Sequence, residues 1–557
     1  MKSQRSNGIV EVWNKSYLVR YYLFFLVLSV GVLYFSHIQG GLLYQGDDIF
    51  FHHNRINGLA LGIANGDFFP KINFYFLNGM GYAAPIFYGD LFLYPAAILR
   101  YAGLTIAQSY IGLLIMINFA SYVIAYHSFK SYKENKQQAL FFAFLYGTAS
   151  YRLGDMIERA ALGEVLALTF LPVALLGLWH IFRGNEKKFY LLGIGMSGVI
   201  LTHMLTAVIF CFFIIFFICL NMDVIFEQKE RVFAFVYAIG ATILLVAGFL
   251  MPIIEQLWGQ TYNFQVSPVI TLEQSASSIQ EYFWIAFKNY GHNNLGLFVI
   301  AGMFILVICY KSLSKLTMQL VIIGVVFFVL ATNIAPQRLL SKTILNTVQF
   351  PWRFFLIVTL CICWGFADTS EQFFRNRQIN GWFIRAVMLG VLLMGIGHSL
   401  VLPDAIKKWR QDSYTDYDPN YLGWGLEYIP SGMDILSLRT QPKEIRRTDM
   451  VTIDKTEWSY GKVRLNYQVS QTGKITLPFI YYKGYQARNI ETDERLEVAS
   501  SDRFPGLCEI IVGKNGKVEI FYEKTWIQRI SMMVSVISWI ILMTGIIRQK
   551  LFSPDKS

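Results

Sequence analysis

Four short stretches of this 557-residue chain hold side chains of the kinds that do chemistry. In GDDIFFHHNRINGLALGIANGDFFPKI (46–72), Asp47 and Asp48 are followed by His52 and Arg55, four and seven residues beyond Asp48. On a helix Asp48, His52 and Arg55 share one face, and Ile49, Ile56, Leu59 and Ile63 form an apolar face suited to lying along a membrane interface. A carboxylate can serve as a base, while imidazole and guanidinium can hold an anion; the plainer alternative is a solvated helix start with Asp as its cap.

YRLGDMIERAALGEVLALTFLP (151–172) puts Asp155, Glu158, Arg159 and Glu164 where an apolar run begins. Ionised groups there cost up to about 2.5–3.5 kcal/mol each if carried to the bilayer centre. They should therefore face a cavity or one another, with Arg159 paired to Glu158 or Glu164 in the simpler case. His203 sits in THMLT (202–206), as a structural hydrogen-bonder or as a site group. QFPWRFF (349–355) carries Arg353 about one turn into an apolar run beside Trp352. Snorkelling to the interface and phosphate binding are its two readings. Glu255 is a weaker candidate.

The elements that position these groups follow from composition. Apolar residues make up 54% of the chain and charged ones 15%, where about 25% charged is usual for soluble domains. A soluble globule and a disordered chain are both excluded. The net charge of +11 comes from basic clusters between apolar runs, a pattern of membrane orientation rather than nucleic-acid binding. The six cysteines show no zinc or disulfide spacing.

A membrane span needs about 20 apolar residues. Candidates are 19–37, 106–127, 137–151, 164–182, 189–204, 206–221, 232–252, 295–310, 316–333, 345–367, 382–401 and 527–547, which is about 12 spans. The run 85–103, broken by Pro85, Asp90, Pro95 and Arg100, fits a re-entrant or surface segment. With it not crossing, the clusters at 130–136, 182–188, 227–231, 310–315, 374–377 and 548–550 all fall inside with both termini. The first run is expected to be retained as a span, since no small-residue cleavage site follows it. The outer face then carries the loops 38–105, 152–163 and 253–294, the turn at Thr202–His203, the segment 334–344 and the region 402–526. That last region alternates with period two in KVRLNYQV (462–469), KITLPFIYY (474–482) and KVEIFYE (517–523), the signature of strands. The expected organisation is a polytopic α-helical membrane domain 1–401, an extracytoplasmic β-rich domain 402–526 and a final span with cytoplasmic tail, 527–557. The candidate groups all reach the outer surface in this arrangement.

Taken in order, DDIFFHHNR (47–55), GYAAPIFYGDLFLYPAAIL (81–99), YRLGDMIERAALGE (151–164), THMLT (202–206), QFPWRFF (349–355) and YYKGYQA (481–487) resemble the polytopic GT-C glycosyltransferases. Within that group the chain resembles the YfhO-like bacterial membrane proteins, also labelled pyruvoyl-tetrahydropterin-synthase-related membrane proteins. The resemblance implies a GT-C-like fold in a bacterial plasma membrane. It also implies transfer of a sugar from a polyprenyl-phosphate donor to an outer acceptor, such as a cell-wall polymer or surface glycan. An acidic residue of the first outer loop would be the catalytic base. That role falls on Asp48 or Asp47, and Asp48 is favoured because His52 and Arg55 keep the family's spacing from it.

Chemistry points the same way. Outside the cell there is no nucleotide-sugar pool, and a phosphate leaving group departs without a proton, so a second carboxylic acid is unnecessary. One base and cations for the growing phosphate charge suffice. Arg55, His52, Arg159, His203 and Arg353 would hold the donor phosphate, supported by Glu164, Asp155 and Glu158. No cofactor is required, though a divalent metal held by Asp47 or Asp48 with Glu164 is compatible; Asp67 and Asp90 are further acids of the first loop. Trp258, Tyr262 and Trp284 could stack on sugars or form an interfacial belt. Membrane lipid is an implied partner and nucleic acid is not.

Two other functions compete. A transporter or flippase predicts ionisable groups within spans and broken helices in paired halves, whereas these spans are nearly free of charge. A non-catalytic accessory subunit makes no demand on any of the polar residues.

Overall fold

The structure, a computed structural model, describes residues 2–38, 42–43, 46–266, 270–373, 377–400, 411–412, 419–423, 425–434 and 444–552. Parts of the expected outer region (402–410, 413–418, 424 and 435–443) and residues 374–376 of one basic cluster lie outside the described residues. The chain is mostly helical, with a β-sheet region towards its C-terminal end.

Each of the twelve apolar runs carries helix, but not all are long enough to cross a bilayer. Among the described residues five are long and apolar enough: Ile106–Tyr132, Leu162–Phe182, Pro351–Gln372, Gln378–His398 and Trp526–Gln549. A sixth counts if the bent pair Lys229–Leu245 and Ala247–Leu257 is one span. Met204–Cys219, Leu297–Ile308 and Lys315–Leu330 are shorter, at 10–17 residues, while the first apolar run lies at the C-terminal end of the 32-residue helix Lys2–Leu33. Lys136–Gly147 and Tyr190–Thr202 have 12 and 13 residues. The described helices thus supply five or six candidate spans where about twelve were expected. Hydropathy marks a helix buried among other helices as readily as one buried in lipid, and Gln138–Gly147 is largely of the first kind. The run 85–103 contains only short helices, among them Ala84–Phe87 and Tyr94–Tyr101.

Two compact units are present, each assembled from three stretches rather than from consecutive domains. The first is Met1–Ile49, Tyr110–Thr242 and Ile270–Thr415. Its helices Leu162–Phe182 and Tyr190–Thr202 meet at small residues. A Cβ on Gly177 would stand 2.0 Å from the Leu192 nitrogen, and one on Gly195 2.4 Å from the Ala174 nitrogen. Close approach of backbones is how helices associate where lipid removes the hydrophobic incentive. At the end of the helix Phe355–Thr369, buried Asp368 accepts hydrogen bonds from Ser314 and Thr317 at 2.7 Å and pairs with Lys133 at 3.0 Å.

The second unit is Phe50–Ser109, Ile243–Val269 and Asp416–Ser557. It contains two antiparallel sheets. One orders Arg446–Arg447, Gly473–Ile480, Leu507–Val512 and Val498–Ser500; the other orders Val451–Ser459, Lys462–Val469, Gly516–Tyr522, Tyr485–Asn489 and Arg495–Leu496. The three alternating segments read from sequence are all strands. Val463, Leu465, Val518 and Ile520 of one sheet share a core with Ile475, Leu477 and Ile510 of the other. Pro478, which has no N–H to give the ladder, coincides with the register shift between Leu507 and Cys508. In the same unit Gly248, on Ala247–Leu257, lies against the Met532 backbone of Trp526–Phe552, where a Cβ would meet Met532 Cα at 2.9 Å.

Candidate functional site

The helix Ser150–Ile157 ends in a tight turn before Leu162–Phe182 begins. The Gly154 carbonyl accepts the N–H groups of Glu158 and Arg159 at 2.9 and 3.0 Å, and the Asp155 carbonyl accepts that of Ala161 at 2.9 Å. Ala160 is left-handed at φ +53°, a conformation that costs a non-glycine residue roughly 1–3 kcal/mol and persists only where its surroundings enforce it.

The turn gathers charge. Arg159 Nη1 donates to Asp155 Oδ1 and, at 3.2 Å, to Glu164 Oε2. The Tyr151 hydroxyl donates to the other Glu164 oxygen at 2.5 Å. The Arg159 guanidinium lies 4.4 Å from the Trp352 ring centroid, a cation–π contact. The turn Pro351–Phe354 that supplies Trp352 also supplies Arg353, whose Nε is 4.0 Å from Glu164 Oε2. Arg353 Nη1 donates to the Val348 carbonyl at 2.8 Å and to Gln349 Oε1 at 3.3 Å. Among the described residues, neither guanidinium has a second nitrogen engaged in a hydrogen bond.

Burial opposes the Arg159 charge, but Asp155 and Glu164 more than offset it and raise its proton affinity further. Burial, reinforced by the Glu164 carboxylate, pushes Asp155 far above the usual carboxylate range despite its bond to Arg159. The helix termini do not themselves create this site; the side-chain network does.

Asp48 is delivered to the same place by backbone contact. A Cβ on Gly46 would stand 2.7 Å from Ala160 Cβ and 2.9 Å from the Glu158 carbonyl oxygen, so only glycine lets this segment lie on the turn. The Asp48 N–H then donates to the Arg159 carbonyl at 3.0 Å. Its carboxylate acts electrostatically on both Arg159 and Arg353. Asp47 points elsewhere: its Oδ2 lies 2.9 Å from Nδ1 of His292, and both side chains are about half exposed. The hydrogen bond to Asp47 raises His292 above the ordinary imidazole value, against the effect of burial.

Glu158 fastens the same loop from the inside. Its two oxygens accept the Gly291 N–H at 3.2 and 2.9 Å, and Oε1 lies 3.3 Å from His398 Nε2. His398 Nδ1 in turn contacts the Asn289 carbonyl at 2.9 Å.

His203 separates Tyr190–Thr202 from Met204–Cys219, with Nδ1 2.8 Å from Thr206 Oγ1. Burial lowers it to about 4; Glu164 works against the shift, and Arg353 and Arg159 add to it. With that shift it is an uncharged hydrogen-bonding group at neutral pH.

His52 and Arg55 belong to the second unit and do something different there. Arg55 is almost fully buried. Its Nε and Nη2 donate to Asp90 Oδ1 at 2.9 and 2.5 Å, and Nη2 also reaches the Tyr88 and Gly89 carbonyls at 3.1 and 2.7 Å. Nη1 is 3.2 Å from His52 Nδ1, and the guanidinium lies 4.2 Å from the Tyr88 ring centroid. Every nitrogen is taken by the protein itself. Arg55 holds the Tyr88–Asp90 turn, with His52 against its guanidinium, where a donor phosphate was expected.

Glu255, also in that unit, accepts the Thr525 hydroxyl at 2.8 Å. Of the loop aromatics, Trp258 and Trp284 are exposed and Tyr262 is buried. Among the described residues, no group of three His, Cys, Asp or Glu side chains is arranged to hold a metal. Tyr151, His292 and His398 were not singled out from sequence. Tyr151 and His292 lie in polar or aromatic-rich stretches and His398 in an apolar run, and only long-range contact gives each a partner.

No protein-family profile matches the chain. An uncharacterized protein of Lactococcus lactis subsp. cremoris is 21% identical, covering 97% of this chain and 98% of the relative. Among solved structures, the arabinofuranosyltransferase AftD from mycobacteria is similar with a TM-score of 0.39 and 12% identity, over 69% of this chain and 27% of that one. The oligosaccharyltransferase of Archaeoglobus fulgidus, in its apo form, is similar with a TM-score of 0.41 and 12% identity, over 72% of this chain and 56% of that one. The chain thus spans about a quarter of the first and just over half of the second.

Proposed function

We propose that this protein is a GT-C-like membrane glycosyltransferase. It moves a sugar from a polyprenyl-phosphate donor to a hydroxyl of an outer glycan or cell-wall polymer. The observation that carries this reading is the pair of guanidiniums, Arg159 and Arg353, with nitrogens uncommitted beside the Asp48 carboxylate. A leaving phosphate needs that combination: a base on one side and preorganised cations on the other.

In the proposed reaction, Asp48 takes the proton of the acceptor hydroxyl as its oxygen attacks the anomeric carbon. The bond from that carbon to the phosphate oxygen breaks, and the electron pair stays on the phosphate. Arg159 Nε and Nη2 and Arg353 Nη2 receive the added charge. Asp155, Glu164 and Tyr151 position Arg159, Trp352 fixes the plane of its guanidinium, and neutral His203 offers a hydrogen bond. Asp47, engaged by His292, is the weaker candidate for the base. The outer location of this site, cytoplasmic termini in a bacterial plasma membrane, and the division at 401 and 526 belong to the same proposal.

The test is turnover of radiolabelled polyprenyl-phosphate sugar by the purified chain in vesicles. Asp48→Asn should lower the rate by about 10²–10⁴-fold, the usual contribution of a general base, and Asp47→Asn should lower it much less. Wild-type rates in both variants would overturn the base assignment. Passage of the lipid-linked sugar across the bilayer with no glycosyl product would instead establish a transporter.

A further inference from the structure

Lys71 has no place in the reaction above. It follows the turn at 67–70 in the second unit and is 8% exposed. Among the described residues its Nζ donates only to the Gly248 carbonyl, at 3.5 Å. Among the described residues no carboxylate oxygen lies within 4.0 Å of it; the nearby Asp90 commits Oδ1 to Arg55 and leaves Oδ2 unbonded.

Other donors gather around the same turn with weak or absent partners. Lys524 Nζ is 3.5 Å from Asp67 Oδ1, with both side chains about one-third exposed. The Tyr460 hydroxyl is buried and, among the described residues, without a hydrogen bond. A Cβ on Gly62 would stand 3.2 Å from that hydroxyl and 2.9 Å from the Asp67 carbonyl oxygen, which places Tyr460 against the turn. The Tyr94 hydroxyl donates to the Phe68 carbonyl at 2.5 Å and closes it.

A lysine ammonium held out of water without a counter-charge is unfavourable. Burial first, and the repulsion of Lys524 second, bring Lys71 down to about 8, with Asp90 opposing. The charged groups that act on it are Lys524 and Asp90, with Asp67 paired to Lys524 and Arg55 to Asp90. A phosphate oxygen would relieve this imbalance, accepting charge-assisted hydrogen bonds from both lysines and one from the tyrosine. Phe68 and Phe69, each 58% exposed, precede the lysine on the same turn. Apolar tips beside an anion-hungry ammonium match a phosphate that arrives on an acyl chain.

We propose that Lys71, Lys524 and Tyr460 form a binding site for the phosphate of a lipid headgroup. Nothing in this site depends on the Asp48 assignment, so either can fail alone. The test follows reductive methylation of Lys71 by peptide mass spectrometry, using the full-length chain in neutral detergent at pH 7.5. Dodecyl phosphate should slow Lys71 labelling at least tenfold, while inorganic phosphate at the same concentration and dodecyl maltoside should not. Lys524→Gln and Tyr460→Phe should each weaken that protection at least tenfold. Protection should fade as the pH rises through about 8, where Lys71 loses its charge. Equal protection by inorganic phosphate would overturn the lipid source. Protection by neither phosphate would overturn the site.

Discussion

Arg55 and Arg159 are both nearly buried guanidiniums beside carboxylates and an aromatic ring, yet the structure uses them in opposite ways. Around Arg55, Asp90, two backbone carbonyls and His52 together engage Nε, Nη1 and Nη2. Arg159 is held by Nη1 alone, with Trp352 beneath its plane. Burial and charge are thus shared by an anchor and a candidate ligand; the number of uncommitted donors separates them. An anchor's removal should be felt in folding, and a ligand's removal in turnover.

The sharpest way to break this comparison is Arg55→Met. It leaves Asp90 buried without its partner, which costs about 3–5 kcal/mol when one member of a buried pair is removed. Thermal unfolding should register the full loss, while turnover per folded molecule should change little. A large fall in turnover with unchanged stability would place Arg55 in the reaction after all.

Arg159→Lys and Arg353→Lys probe the other side. Each keeps the charge but loses the planar fork, so turnover should fall by about 10–100-fold with a much smaller change in unfolding midpoint. Unchanged turnover in both would remove the cations from the proposed mechanism.

Gly46→Ala tests delivery of Asp48. The new methyl would meet Ala160 and the Glu158 carbonyl at 2.7–2.9 Å, and displacement of a catalytic group by about 1 Å can cost up to about 100-fold in rate. We expect roughly tenfold, on the same grounds, read as lower kcat with the fold intact by circular dichroism.

The smallest effect belongs to His292. Its folded value is raised by Asp47, so the pair's contribution to stability is complete below the unfolded imidazole value of 6.5 and is lost as pH rises through the raised folded value. Both groups are about half exposed, which limits the contribution to about 0.5 kcal/mol after solvent screening. The difference in unfolding midpoint between wild type and His292→Ala should be present at pH 5.5 and shrink as the pH rises above 6.5.

Much of this architecture was legible because two periodicities and one composition signal survive folding. The apolar runs became helices, and 462–469 alternates in burial as its sequence alternates in polarity. Span number was less legible: Lys136–Gly147 is as apolar as a span but only 12 residues long and buried among other helices. The gathering of Asp48, Asp155, Arg159, Glu164, His203 and Arg353 in one unit matches the local clustering of charge at helix starts. What was not legible was long-range. Arg55 bonds to Asp90, 35 residues on, and sequence spacing instead aligned it with Asp48 on a helical face. The helix begins at Ile49, after Asp48, so that alignment has no helix to act through. The two-unit division likewise joins Phe50–Ser109 to residues beyond 416, which no composition shift announces.

The most direct test of the account is a structure of the protein with an unreactive polyprenyl-phosphate sugar analogue bound. The phosphate should lie within about 3.2 Å, hydrogen-bonding distance, of Arg159 Nε or Nη2 and of Arg353, with Asp48 facing the anomeric carbon. A phosphate seated elsewhere, with Arg159 and Arg353 making only the contacts they make now, would contradict it.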